Sequence, residues 1–161
     1  MRKVTNCISY SCMTILVRNL MRKNPYTVAE SASIQDTARI MNDKKVSSLV
    51  ILDEDNNPVG LVTERDLVRK VCINDLPTNR VTNKEIMSTP LITIDSESSA
   101  STATDLMLKN NVRHLLVIDN ESKDSNQPIG IITPLDLVKY EEYTRDEGRN
   151  DVLEMILEYY I

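Results

Sequence analysis

The chain repeats itself, and that limits its fold more than any other feature. A shift of 66 residues lays Met21 on Met87, Thr27 on Thr93, Ser33 on Ser99, Met41 on Met107, Val46 on Val112, Leu49 on Leu115 and Asp53 on Asp119. An insertion within 121–127 moves the shift to 70. Pro58, Gly60, Thr63, Asp66, Leu67 and Val68 then fall on Pro128, Gly130, Thr133, Asp136, Leu137 and Val138. The identities gather at turn residues, and most other pairs are apolar on apolar. A duplicated supersecondary unit therefore organises the chain.

Each copy carries the same signals. A short extended piece comes first, Pro25-Tyr26-Thr27-Val28 or Leu91-Ile92-Thr93-Ile94. A helix follows, starting near Ser31 or Ser33 with Ile34, Ala38 and Met41 on one stripe. In the second copy it starts near Ser96 or Ser98, with Ala103, Leu106 and Met107 facing inward. Continuous apolar runs, Leu49-Val50-Ile51-Leu52 and Leu115-Leu116-Val117-Ile118, predict strands covered on both faces. Polar turns lead to a second strand (59–62, 129–132) and a second helix opening at Thr63 or Thr133. The order is β-α-β-β-α, twice. One copy alone exposes an apolar helix face, and two bury those faces against each other. The predicted fold is therefore α/β (α+β-like), two pseudo-symmetric repeats in one compact module. The expected segments are an N-terminal extension and lead-in helix (1–20), repeat one with its linker (21–80), repeat two (81–140) and a helical tail (141–161). Short helices are expected over 14–21 and 81–87. The last helix should run on through 136–147 to a break at Gly148. The apolar stripe of 152–161 either folds back or makes a dimer contact.

Composition argues against several classes of function without excluding them. At 161 residues the chain can bury a core without disulfides. It has no Phe or Trp, so Ile, Leu, Val and Met must build that core. A net charge of −5 lacks the basic footprint of a nucleic-acid binder. Cys7, Cys12 and Cys72, with His114 as the single histidine, supply neither a disulfide framework nor a four-ligand zinc site. This sparse usage fits a reducing, cytoplasmic setting. No apolar run approaches the ~20 residues of a membrane span. The run 12–17 is broken by Thr14 and followed by Arg18, and it reads as part of the fold.

The repeated Thr-x-x-Asp admits two readings. Thr at an N-cap with an acid three positions on is a capping box, and Pro134 suits the first helical position. The same carboxylate can accept hydrogen bonds from both hydroxyls of a ribose, and the helix N-terminus favours a phosphate.

Together these features resemble a tandem pair of cystathionine β-synthase (CBS) domains, or Bateman module. The residues carrying the likeness are Val17-Arg18-Asn19-Leu20-Met21, Pro25-Tyr26-Thr27-Val28, Gly60-Leu61-Val62-Thr63-Glu64-Arg65-Asp66-Leu67 and their second-half copies. The resemblance covers roughly 15–140 and predicts a free-standing pair. It implies a sensor rather than an enzyme, with no obligatory cofactor, binding AMP, ADP or ATP, or else S-adenosylmethionine or NAD, in clefts between the repeats. It further implies that cleft A combines Thr63, Arg65 and Asp66 with Ile92, Thr93, Arg113 and His114. Cleft B combines Thr133 and Asp136 with Tyr26, Thr27, Ser47 and Ser48. A homodimer and a regulated partner protein are also implied.

Arg65, Arg113 and His114 face Leu135, Ser47 and Ser48 in the alignment, so phosphates are expected to prefer cleft A. His114 there predicts pH-dependent binding near neutrality. The competing class is a ligand-independent dimeric adaptor docking on a protein. An enzyme lacks a nucleophile beside His114, and Cys72 within Val71-Cys72-Ile73 reads as buried.

Overall fold

The computed structural model describes residues 15–119 and 128–143. The expectations for 1–14, 121–127, Gly148 and the tail 152–161 lie outside the described residues.

The elements, in order, are α1 (Val17–Leu20), β1 (Arg22–Lys23), β2 (Thr27–Ala29), α2 (Ile34–Lys44), β3 (Ser48–Leu52), β4 (Pro58–Thr63) and α3 (Glu64–Asp66). A π-helical segment, Leu67–Cys72, continues α3. Then come α4 (Asn83–Ile86), β5 (Thr93–Asp95), α5 (Ala100–Asn110), β6 (Leu115–Ile118), β7 (Gly130–Ile132) and α6 (Pro134–Tyr143). The doubled β-α-β-β-α order is therefore present.

The long helices start and stop alike. Ser33 caps α2 by accepting from the Asp36 N–H at 3.2 Å. Ser99, rather than Ser96 or Ser98, caps α5 by accepting from the Thr102 N–H at 3.1 Å. Both helices end on a left-handed residue, Lys45 (φ 54°) and Asn111 (φ 54°). The buried stripes also differ from expectation. Thr37 is fully buried and Ala38 only half-buried; Thr104 is buried and Leu106 half-buried. Thr37 tolerates burial because its hydroxyl donates to Asn83 Oδ1 at 2.7 Å, while Asn83 Nδ2 donates to the Ala29 carbonyl at 2.9 Å.

Two sheets form, one in the order β2-β3-β4, the other β1-β7-β6-β5. In each copy the short first strand pairs parallel with the buried strand, which pairs antiparallel with the next. The lead-in segments exchange. The one before copy one packs on copy two: Val17 N–H donates to the Ser98 carbonyl at 2.8 Å, and β1 extends the second sheet antiparallel to β7. Val17 is fully buried there with Ile94, Ala103, Leu115 and Ile132. Reciprocally, Ile34 N–H donates to the Val81 carbonyl at 2.9 Å, and Val81 and Ile86 join the core of copy one. A third cluster, Val50, Leu61, Leu116 and Ile131, joins the copies.

The exchange explains the repeated Gly and Met. A Cβ at Gly60 would lie 2.5 Å from Met87 Sδ; one at Gly130 would lie 2.5 Å from Met21 Sδ and 3.0 Å from the Arg22 carbonyl oxygen. Each lead-in methionine thus crosses the bare backbone of the other copy's last strand.

Cys72 is exposed, contrary to expectation, and Ile73 is 72% exposed. The π-helical turn, with Ile73 N–H to the Val68 carbonyl and Leu76 N–H to that of Val71, faces Val71 inward and turns Cys72 and Ile73 out.

Gly60→Ala is expected to destabilise the fold by about 1–3 kcal/mol through overpacking. Met87→Ala in the same chain should return part of that loss, because it removes the Sδ and Cγ that the new methyl meets and leaves only Cβ, 3.0 Å away. Gly130→Ala should cost more than Gly60→Ala, since a backbone carbonyl also stands in the way. Urea unfolding of the single and double variants checks both statements.

Candidate functional site

The Thr-x-x-Asp motif is a full capping box in copy one, and in copy two the aspartate makes its half of one. Thr63 N–H and Oγ1–H donate to Asp66 Oδ2 at 2.9 and 2.6 Å, and the Asp66 N–H returns a bond to Thr63 Oγ1. Thr133 N–H and Oγ1–H donate to Asp136 Oδ2 at 2.9 and 2.6 Å. Both carboxylates are nearly buried.

The copies differ in the cation that each aspartate meets. Asp66 Oδ1 accepts from Lys70 Nζ at 2.8 Å and from Ser88 Oγ at 3.2 Å. Lys70 also donates to the Ile86 carbonyl at 2.6 Å, linking the π-helical segment to the end of α4. Burial works to raise the Asp66 pKa, but hydrogen bonds from Lys70 and Thr63 hold it below the usual carboxylate value. Asp136 instead meets Arg22, whose Nε lies 3.4 Å from Oδ2. Arg22 belongs to β1, at the place that Ser88 holds in the other copy.

Three cavities with shared lining residues lie between the sheets. Cleft A has Leu61, Leu91, Ile92, Val112 and Leu116 as apolar walls, and Thr63, Arg65, Asp66, Arg113 and His114 at its polar end. Cleft B has Pro25, Tyr26, Val46, Val50 and Ile131 as walls, with Arg22, Lys23 and Ser48. Between them lies a central chamber of about 380 Å³, against about 170 Å³ for cleft A. It shares Thr63, Arg65, Arg113 and His114 with cleft A and Arg22 with cleft B, and adds Ser47, Glu64, Thr133, Leu135 and Asp136.

Cleft A therefore gathers every residue predicted for it except Thr93. That residue is exposed on β5 and does not line the cavity. Cleft B gathers only Tyr26 and Ser48. Ser47, Thr133 and Asp136 face the central chamber, and Thr27 lines neither. Sequence reasoning missed Arg22, Lys23, Ser88 and Lys70. Arg22, Lys23 and Ser88 come from segments that cross to the other copy. Lys70 was legible as the residue one turn beyond Asp66.

Two electrostatic expectations are corrected. Arg22 and Lys23 give cleft B its own cations, so matching places in the alignment overstated the charge difference between the clefts. His114 does not titrate near neutrality. Burial, then Arg113 and Arg22, push its pKa from 6.5 down to about 4. It is neutral at pH 7.

The CBS domain family matches residues 17–72 and 84–143, and the chain belongs to it. An uncharacterized protein of Methanocaldococcus jannaschii is 34% identical over 139 residues; the match covers 77% of this chain but only 31% of that protein. An uncharacterized conserved protein from Pyrococcus horikoshii has a solved structure with TM-score 0.71 and 28% identity, covering 85% of this chain and 97% of that one. A conserved CBS domain protein of unknown function from Thermoplasma acidophilum shares the fold at TM-score 0.76 and 24% identity, over 91% of this chain and 77% of its own. Among the described residues, no helix is long and apolar enough to cross a membrane, and no group of three or more His, Cys, Asp or Glu is placed to hold a metal ion.

The unfolded chain binds a proton at His114 near pH 6.5, whereas the folded chain resists until about pH 4. Stability should therefore fall as pH drops through that window, by up to about 3 kcal/mol. His114→Gln should flatten the melting temperature between pH 6.5 and 4. The chain has no other histidine, so an unchanged slope would contradict the assignment.

Proposed function

We propose that the chain is a regulatory sensor that binds an adenine nucleotide, AMP, ADP or ATP, in cleft A and performs no catalysis. The supporting observation is that one cavity brings the Thr63–Asp66 pair, Arg65, Arg113 and His114 to the end of an apolar slot. No comparable set lines cleft B, where Thr133 and Asp136 are absent from the lining and Arg22 already engages Asp136. The family is generally regulatory, which favours sensing over turnover.

Adenine suits the slot between Leu61, Ile92 and Val112. The ribose hydroxyls reach Asp66 Oδ1, exchanging with Ser88 and Lys70, while Oδ2 keeps the cap. The phosphate leaves the slot toward Arg65 and Arg113. Neutral His114 serves as a hydrogen-bonding wall and itself adds no pH dependence to binding between pH 6 and 8. S-adenosylmethionine and NAD share the adenosine part and are secondary candidates. A ligand-independent adaptor that dimerises and docks on a partner is the second reading, favoured by exposed Val68 and Ile73 beside the site.

AMP, ADP or ATP at about 100 times its Kd is expected to stabilise the fold by about 2.7 kcal/mol, read as a rise in melting temperature. Asp66→Ala or Arg113→Ala should remove most of that rise, whatever each does to the unliganded melting point. A full rise surviving both substitutions would refute the cleft A assignment, and no rise with any adenosine ligand would favour the adaptor.

A further inference from the structure

We propose that the central chamber receives the distal phosphates of a nucleotide seated in cleft A, and that Arg22 makes the site select ADP and ATP over AMP. The inference rests on the cleft A reading and names its preferred ligand.

The chamber borders the polar end of cleft A and shares Thr63, Arg65, Arg113 and His114 with it. It is the larger of the two spaces, and a nucleotide whose first phosphate reaches that end has its next phosphates inside it. Three guanidinium groups line it, Arg22, Arg65 and Arg113, against the carboxylates of Glu64 and Asp136. Asp136 already accepts from Thr133 and pairs with Arg22, so its charge is largely answered before any ligand arrives.

Arg65 and Arg113 border both cavities and serve a first phosphate whether or not more follow. Arg22 borders the chamber and cleft B but not cleft A, so AMP does not need it. Its side chain is 45% exposed, and Asp136 engages it through Nε. A guanidinium has further N–H donors in a planar fork that matches phosphate oxygens. Asp136 thus orients the arginine and a terminal phosphate completes its bonding. Arg22 arrives on β1, pinned antiparallel to β7 with Arg22 opposite Ile131, so the exchange of lead-in segments delivers it.

The test is calorimetry of the full chain with AMP, ADP and ATP. ATP is expected to bind about ten-fold more tightly than AMP, as charge-assisted bonds to an added phosphate require. Arg22→Gln should bring ATP to within about two- to three-fold of AMP while AMP affinity stays the same. Removing Arg22 leaves Asp136 without its cation, so a second variant guards against a folding defect. Leu135→Glu sets an acid on an exposed position in the first turn of α6, where a helix welcomes it, and aims it at the chamber. It should weaken ATP and spare AMP. Equal affinity for AMP and ATP in the unmodified chain, or a preference that survives both variants, overturns the proposal while leaving the cleft A site intact. Failure to bind AMP, ADP and ATP alike overturns both.

Discussion

The structure depends on two methionines lying across two glycines. Met21 crosses Gly130 and Met87 crosses Gly60. Each contact fixes the segment leading into one copy against the last strand of the other. The same exchange places Val17 in the second core and Val81 and Ile86 in the first. The copies also meet through Val50, Leu61, Leu116 and Ile131. The clefts depend on the same exchange. Each is bounded by a crossing segment: Ser88 to Ile92 beside Thr63 and Asp66 in cleft A, and Arg22 to Tyr26 in cleft B. A duplicated unit thus yields two related cavities, each built from both copies.

Within that frame one motif caps a helix and keeps a carboxylate oxygen for another partner. A carboxylate has two oxygens, and the capping box uses one. In copy one the second oxygen is held by Lys70, which also keeps the Ile86 carbonyl, and by the neutral donor Ser88, and these are the partners the proposed ribose contact would exchange with. In copy two Arg22 stands beside the aspartate and links it to the chamber instead. Symmetry of sequence has become asymmetry of role, through what the crossing segments bring rather than through the motif.

Much of this was legible. Repetition, the apolar runs and the Thr-x-x-Asp pairs gave the order of elements and the start of α3 at Thr63, and the resemblance to CBS pairs implied the gathering of Thr63, Arg65, Asp66, Ile92, Arg113 and His114. What escaped depended on three dimensions. Arg22 and Lys23 were assigned to the first copy by position, yet β1 extends the second sheet, so the cations of cleft B were missed. Thr37 gave no apolar signal, yet it is buried because Asn83, forty-six positions away, meets its hydroxyl. Cys72 read as buried because its neighbours Val71 and Ile73 are apolar, yet the wider winding of the backbone there turns Cys72 and Ile73 out. His114 looked like a switch near neutrality until its burial beside Arg113 and Arg22 was visible.

The central claim is that cleft A is the adenosine site, and the position of the base in a crystal structure of the full chain with AMP tests it most directly. The account predicts adenine between Leu61, Ile92 and Val112 with the ribose hydroxyls on Asp66 Oδ1. Adenine in cleft B against Tyr26 and Val46, with cleft A empty, would contradict it.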